Sequence, residues 1–161
     1  MTAMADPMSM FEVKNRVALI TGASGAFGMV AARVLAAAGC KLVLAAGNLK
    51  ALNEIADECR GMGAAVTAVN IRPEDEQSCN DLVAQAVEDY ERLDILVVAS
   101  GMNKVALIND MAPETFTSVM DANVTQSWLL TRAAAGQMKM QGDGGKIVLV
   151  SSARGLLGHP A

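Results

Sequence analysis

The chain lacks the residue patterns that would point to a metal, a disulfide framework, a nucleic acid or a bilayer. Its three cysteines, Cys40, Cys59 and Cys79, are odd in number, widely spaced and part of no CxxC or Cys/His cluster. That argues against disulfides and zinc, and for reduced thiols in the cytoplasm. A net charge of −4 with no basic run leaves no electrostatic footprint for nucleic acid or an anionic membrane. The longest charge-free stretch, Val17 to Ala32, is too short to span a bilayer and is interrupted by Gly22, Gly25 and Gly28. Residues 1–12 have no charged start or apolar core of a signal peptide and are expected to form a flexible extension. No repeat, linker or low-complexity tract follows.

What is present is a chain of 161 residues, 52% hydrophobic with a mean hydropathy of +0.31. This is the size of one domain, expected over residues 13–161, and the composition suits parallel strands buried on both faces. The run Val17-Ala18-Leu19-Ile20-Thr21 reads as a strand that enters the Gly-rich turn Gly22 to Gly28. A helix follows over Ala26 to Ala38, with Met29, Val30, Val34 and Leu35 at helical spacing and Gly39 as its stop. Strand, glycine turn and helix form the first unit of a doubly wound sheet. Such a turn lets the backbone approach a pyrophosphate, whose charge the helix N-terminus offsets. Similar turns also join strands to helices with no ligand; the flanking strand and helix favour nucleotide binding.

Further strands are expected at Lys41–Ala46, Ala65–Asn70, Asp94–Ala99 and Lys146–Ser151. Helices are expected at Asn48–Met62, with Leu49, Leu52, Ile55, Ala56 and Cys59 on one face, from Pro73 to about Arg92, and from Pro113 to about Met140. Alternation of strands and helices implies right-handed crossovers and a parallel sheet.

Thr21-Gly22-Ala23-Ser24-Gly25-Ala26-Phe27-Gly28 resembles the TGxxxGxG signature of the classical short-chain dehydrogenases/reductases. The resemblance continues in order through Leu93-Asp94-Ile95-Leu96-Val97 with its loop Val98-Ala99-Ser100-Gly101, through Asp121-Ala122-Asn123-Val124-Thr125, and through Gly145 to Gly155. Two departures stand out: Ala26 replaces the middle glycine, and Val98-Ala99 replaces the two asparagines of the NNAG loop.

The resemblance implies a Rossmann-type α/β fold with a doubly wound parallel sheet of order 3-2-1-4-5, lacking the family's C-terminal strands. It implies hydride transfer between NAD or NADP and a small alcohol or ketone. Thr21, Gly22, Ser24, Gly25, Phe27, Gly28, Ala99 and Gly101 would hold the cofactor. Asn70 would accept a hydrogen bond from the adenine amino group, with Ile71 beside it. Ser152 would be the substrate-orienting serine, and Asn123 the helix residue that holds a water. The family's Tyr-x-x-x-Lys pair would begin about a dozen residues beyond Ser152, past Ala161. The sequence is therefore expected to be an N-terminal part, inactive alone, of an enzyme that forms homo-oligomers through its long helix.

The places where an acid or a base usually chooses between NAD and NADP hold Ala46 and Gly47, with Asn48 and Lys50 as the nearest polar groups, so the choice stays open. Tyr90, the only tyrosine, reads as packing at a helix end. His159, the only histidine, reads as a loop residue, since no nucleophile or orienting partner is visible. Trp128, Val124, Leu129 and Leu130 mark either core or a partner surface. A rival reading is a non-catalytic protein that binds nucleotide or a homologous subunit.

Overall fold

A computed structural model describes residues 7–153 and 157; His159 and the first half of the expected extension lie outside them. Within that extension, Pro7–Phe11 forms a 3-10 helix. Five strands follow: β1 (Val17–Thr21), β2 (Lys41–Ala45), β3 (Val66–Val69), β4 (Ile95–Val98) and β5 (Lys146–Leu149). They pair in parallel in the order β3-β2-β1-β4-β5, as expected for a doubly wound fold.

Helices α1 (Ala26–Ala37) and α2 (Leu49–Gly61) cover one face, and α3 (Glu76–Tyr90) and α5 (Gln126–Gln141) the other. Alternation along β1 divides the core. Val17 and Leu19 join Cys79, Leu82 and Leu130, whereas Ala18 and Ile20 join Ala32, Leu52 and Ile55. β1 and β4 are buried throughout, while β5 forms one edge with Val148 and Leu149 half-exposed.

Three helical expectations are corrected. On α1 the face against the sheet is Gly28, Ala32 and Ala36, with Met29 and Leu35 packed at its margin, while Val30 and Val34 point outward; small side chains let the helix sit close on β1. On α2, Leu52, Ile55, Ala56 and Cys59 are buried as expected but Leu49 is exposed, because it occupies the first turn beyond the edge of the packed face. α3 starts at Glu76, not Pro73. A capping box sets that start: the Asp75 carboxylate accepts from Ser78 N at 2.8 Å and Ser78 Oγ accepts from Asp75 N at 3.1 Å. The Ser78 backbone N–H holds the Asp75 carboxyl below its ordinary range.

The expected long helix is present but not uniform. α4 (Pro113–Met120) runs into a π-helical turn, Asp121–Thr125, and then into α5. At the end of the sheet away from the glycine turn, the nearly buried Asp94 ties three strands together. Its Oδ2 accepts from Val17 N at 2.8 Å, its carbonyl accepts from Lys146 N at 2.8 Å, and Arg92 and Arg16 donate to its carboxylate.

Candidate functional site

The carboxyl ends of β1 to β4 open into one cavity of about 290 Å³. It lies where the strand order reverses between β1 and β4, the place where an open α/β sheet leaves a crevice for ligands. Its floor is Gly22, Ser24 and Gly25 after β1; one wall is Ala45 to Asn48 after β2, and another is Ala99 to Met102 after β4. Ile71 to Glu74 close it from the β3 side, and Ala122 with Gln126 from the π-helical turn and α5.

Each glycine of the turn has its own role. Gly22 has φ +66°, and a Cβ there would lie 2.5 Å from the Ala99 carbonyl oxygen. A Cβ on Gly28 would lie 2.1 Å from the Gly22 carbonyl oxygen, so Gly28 lets α1 close onto the turn. Gly25 is different: its φ is −88°, and the nearest atom to a Cβ would be 3.2 Å away. Gly25 is the N-cap of α1 and no side chain caps that helix, so its first N–H groups have no partner inside the helix. Backbone donors at a helix N-terminus, over a floor with little side chain, suit the diphosphate of a dinucleotide. Ala26, in place of the family's middle glycine, is the exposed first residue of α1 and does not line the cavity.

The remaining expected residues separate into three groups. Ser24, Gly22, Gly25, Ile71, Ala99 and Gly101 line the cavity. Thr21 and Gly28 lie buried beneath it as supports, with Thr21 Oγ1 3.0 Å from Ser100 Oγ. Ser100, at the alanine position of the NNAG loop, thus braces β1 against β4. Phe27 and Asn70 do not line the cavity. The Phe27 ring is 71% exposed, since a residue on the first turn of α1 faces away from the sheet. Asn70 Nδ2 donates to the Ala46 carbonyl at 2.7 Å, which orients the amide and leaves its oxygen as the available acceptor.

Asn123 sits in the π-helical turn. Its Nδ2 donates to the Met102 carbonyl at 2.8 Å, its Oδ1 accepts from Met102 N at 3.0 Å, and its own carbonyl accepts from Ser127 Oγ at 2.8 Å. A Cβ on Gly101 would lie 2.5 Å from Asn123 Oδ1, so Gly101 makes that approach possible. Ser152 follows β5, is exposed and does not line the cavity. Tyr90 is remote from the cavity, with its hydroxyl 3.2 Å from Thr67 Oγ1 and Lys41 Nζ 5.6 Å from its ring centre.

Residues not anticipated from the sequence are Ser100, Met102 and Gln126, and Arg72, Pro73 and Glu74 on the loop after β3. Lys50 does not line the cavity. Among the described residues, no group of three or more His, Cys, Asp or Glu is placed to hold a metal, and no helix is long and apolar enough to cross a membrane.

The chain is similar to known proteins over nearly all its length. An uncharacterised oxidoreductase of Mycobacterium tuberculosis is 47% identical over 154 residues, covering 96% of this chain and 56% of that protein. A short-chain type dehydrogenase/reductase of Mycobacterium marinum superposes with a TM-score of 0.92 at 30% identity, covering 98% of this chain and 64% of that one. A short-chain dehydrogenase of Mycobacterium paratuberculosis, solved bound to NAD, superposes with a TM-score of 0.86 at 31% identity over 92% of this chain and 60% of that one. The chain thus spans a little over half the length of the relatives it matches. A glycine turn of this geometry at the strand-order reversal, these likenesses, and a match of residues 16–161 to the short chain dehydrogenase model together establish that the chain belongs to the short-chain dehydrogenase family.

Proposed function

We propose that this chain is the nucleotide-binding part of an NAD(P)-dependent oxidoreductase acting on a small alcohol or ketone in the cytoplasm. The observation that carries the reading is the cavity floor: Gly22 at φ +66°, a bare Gly25 N-cap and the uncapped start of α1 at the carboxyl end of β1. The floor and the helix N-terminus bind the diphosphate, while Ala99 and Gly101 leave room for the rest of the cofactor. The nicotinamide, when bound, supplies or accepts the hydride. Ser152 orients the substrate oxygen, and Asn123 holds the β4 loop through Met102, so that it acts as a positioning residue. Reduced, buried Cys40, Cys59 and Cys79 support a cytoplasmic setting. Exposed Phe116, Met120, Val124 and Trp128 along α4, the π-helical turn and α5 support assembly with a second copy in the full-length protein.

A second reading, nucleotide binding without chemistry, is favoured by one observation. Val98-Ala99 stands at the end of β4 where the resemblance gives two asparagines, so both amide side chains are lost beside the cavity. Fluorescence titration with NADH and NADPH tests the shared part of both readings. Saturable binding, abolished in Gly22→Asp, is expected; no binding of either cofactor would refute it. Measurable turnover by this chain alone, lost in Ser152→Ala, would refute the second reading and the expectation that the chain is inactive alone.

A further inference from the structure

At the two positions that follow β2, the chain has no side chain that could reach an adenosine ribose. Ala46 is buried, and Gly47 has none. The next residue, Asn48, lines the cavity, and its Oδ1 accepts from Ala51 N at 3.2 Å as the cap of α2. The space a side chain at position 47 would take is filled from elsewhere: a Cβ on Gly47 would lie 2.1 Å from Arg72 Nε and 2.9 Å from Arg72 Cδ and Cγ. Arg72 reaches there because β2 and β3 are parallel neighbours, with Ala45 opposite Val69, so that the residues just past both strand ends lie side by side. The loop is fastened on either side of it. Asn70 Nδ2 donates to the Ala46 carbonyl at 2.7 Å, Ile71 N to the Val69 carbonyl at 2.9 Å, and Glu74 N to the Arg72 carbonyl at 2.9 Å.

The Arg72 guanidinium lines the cavity, and among the described residues it has no hydrogen bond or ion pair. Its donors are therefore unused at the cavity wall. A guanidinium presents a planar fork that matches two oxygens of a phosphate and stays charged throughout the neutral range. A carboxylate on β2, which would accept from a ribose 2′-hydroxyl and repel a phosphate, is absent here. The one acid lining the cavity, Glu74, is not paired with Arg72.

We propose that Arg72, reaching across Gly47 from the neighbouring strand's loop, is the residue that selects a nicotinamide cofactor carrying a 2′-phosphate, NADP(H) over NAD(H). This rests on the reading of the cavity as a dinucleotide site.

The test titrates the full chain and three variants with NADPH, NADH, adenosine 2′,5′-bisphosphate and AMP, by calorimetry. The unmodified chain is expected to bind NADPH more tightly than NADH, and the bisphosphate more tightly than AMP. Arg72→Ala should weaken NADPH and the bisphosphate roughly 10- to 100-fold and leave NADH and AMP within about twofold. Because Arg72 is exposed, this variant should fold; Gly47→Asp supplies an independent arm and should reverse the preference toward NADH. Equal weakening of all four ligands in Arg72→Ala would mean the guanidinium stacks on adenine, and would overturn the proposal. So would a preference for NADH in the unmodified chain, or a preference that changes with Glu74→Gln but not with Arg72→Ala. Binding of none of the four would refute the nucleotide reading itself, a result distinct from binding without discrimination.

Discussion

Asn123 grips the backbone of Met102 with both ends of its amide, donating to the carbonyl at 2.8 Å and accepting from the N–H at 3.0 Å. The pair is 21 residues apart in sequence and joins the π-helical turn to the loop after β4. Asn123→Ala removes both bonds. The Met102 amide is expected to exchange with solvent deuterium at least about tenfold faster in that variant, with β1 amides unchanged at a stability cost of about 1 kcal/mol. Unaltered protection of Met102 would show that the loop is held by other contacts.

Gly28 and Gly25 differ in what surrounds them, and alanine at each should report it. A Cβ on Gly28 meets Gly22 backbone at 2.1 Å, whereas on Gly25 the closest atom is at 3.2 Å. Urea denaturation is expected to give a loss of about 3 kcal/mol for Gly28→Ala and of about 1 kcal/mol or less for Gly25→Ala. Equal losses would contradict the assignment of Gly28 as the close contact.

Burial pushes the Asp94 carboxyl up, but hydrogen bonds from Arg92, the Val17 N–H and Arg16 outweigh it and hold the group below the ordinary carboxylate range. A depressed folded-state pKa contributes stability that is complete above the unfolded value of about 3.9 and disappears as pH falls through the folded value. Asp94→Asn is expected to cost about 3 kcal/mol at pH 7 and distinctly less near pH 3. Urea midpoints at the two pH values decide it: a cost independent of pH would mean the ionised carboxylate contributes nothing that the protonated acid does not.

All three cysteines are buried, and burial raises each thiol; Cys40 and Cys79 are pushed up to about 11. At pH 8 only on the order of one in a thousand of those two would be thiolate even if reagent could reach them. A thiol reagent such as Ellman's should therefore modify the native chain only at the rate at which it opens, and all three sites promptly in urea. Rapid modification of the native chain would show that one of these packed faces is loose.

Much of the fold is legible in the sequence for a local reason. β1 and β4 are short, apolar and β-branched, and the glycine turn follows β1 directly, so the strands and their alternation with helices can be read from composition alone. Less legible were features set by a competing local bond. Pro73 looks like a helix start, but Asp75 and Ser78 form the cap, and the helix begins where their reciprocal bonds close. Val30 and Val34 have helical spacing, yet the sheet is met by Gly28, Ala32 and Ala36, since the smallest side chains allow the closest approach.

The site divides the same way. Gly22, Ser24, Gly25, Ala99 and Gly101 belong to contiguous motifs and line the cavity as the motifs imply. Arg72 and Ser100 could not be found so, because their positions depend on which strands are neighbours. Arg72 reaches Gly47 across the β2–β3 pair, and Ser100 meets Thr21 across β1–β4. Phe27 illustrates the opposite limit: it sits inside a motif that binds through its backbone, and its ring faces outward.

The π-helical turn at Asp121–Thr125 also governs rotational phase. An added residue in a helix offsets everything beyond it by about 100°. That offset lets Asn123 turn toward Met102 while Leu129, Leu130, Ala134 and Met138 of α5 still face the sheet. Deleting one residue from the turn would restore an uninterrupted α-helix, but only one of the two faces would remain aligned. A length change of one at this point is therefore a choice between the cavity wall and the core, whereas a point substitution at exposed Asn123 reaches only the cavity wall, through Met102.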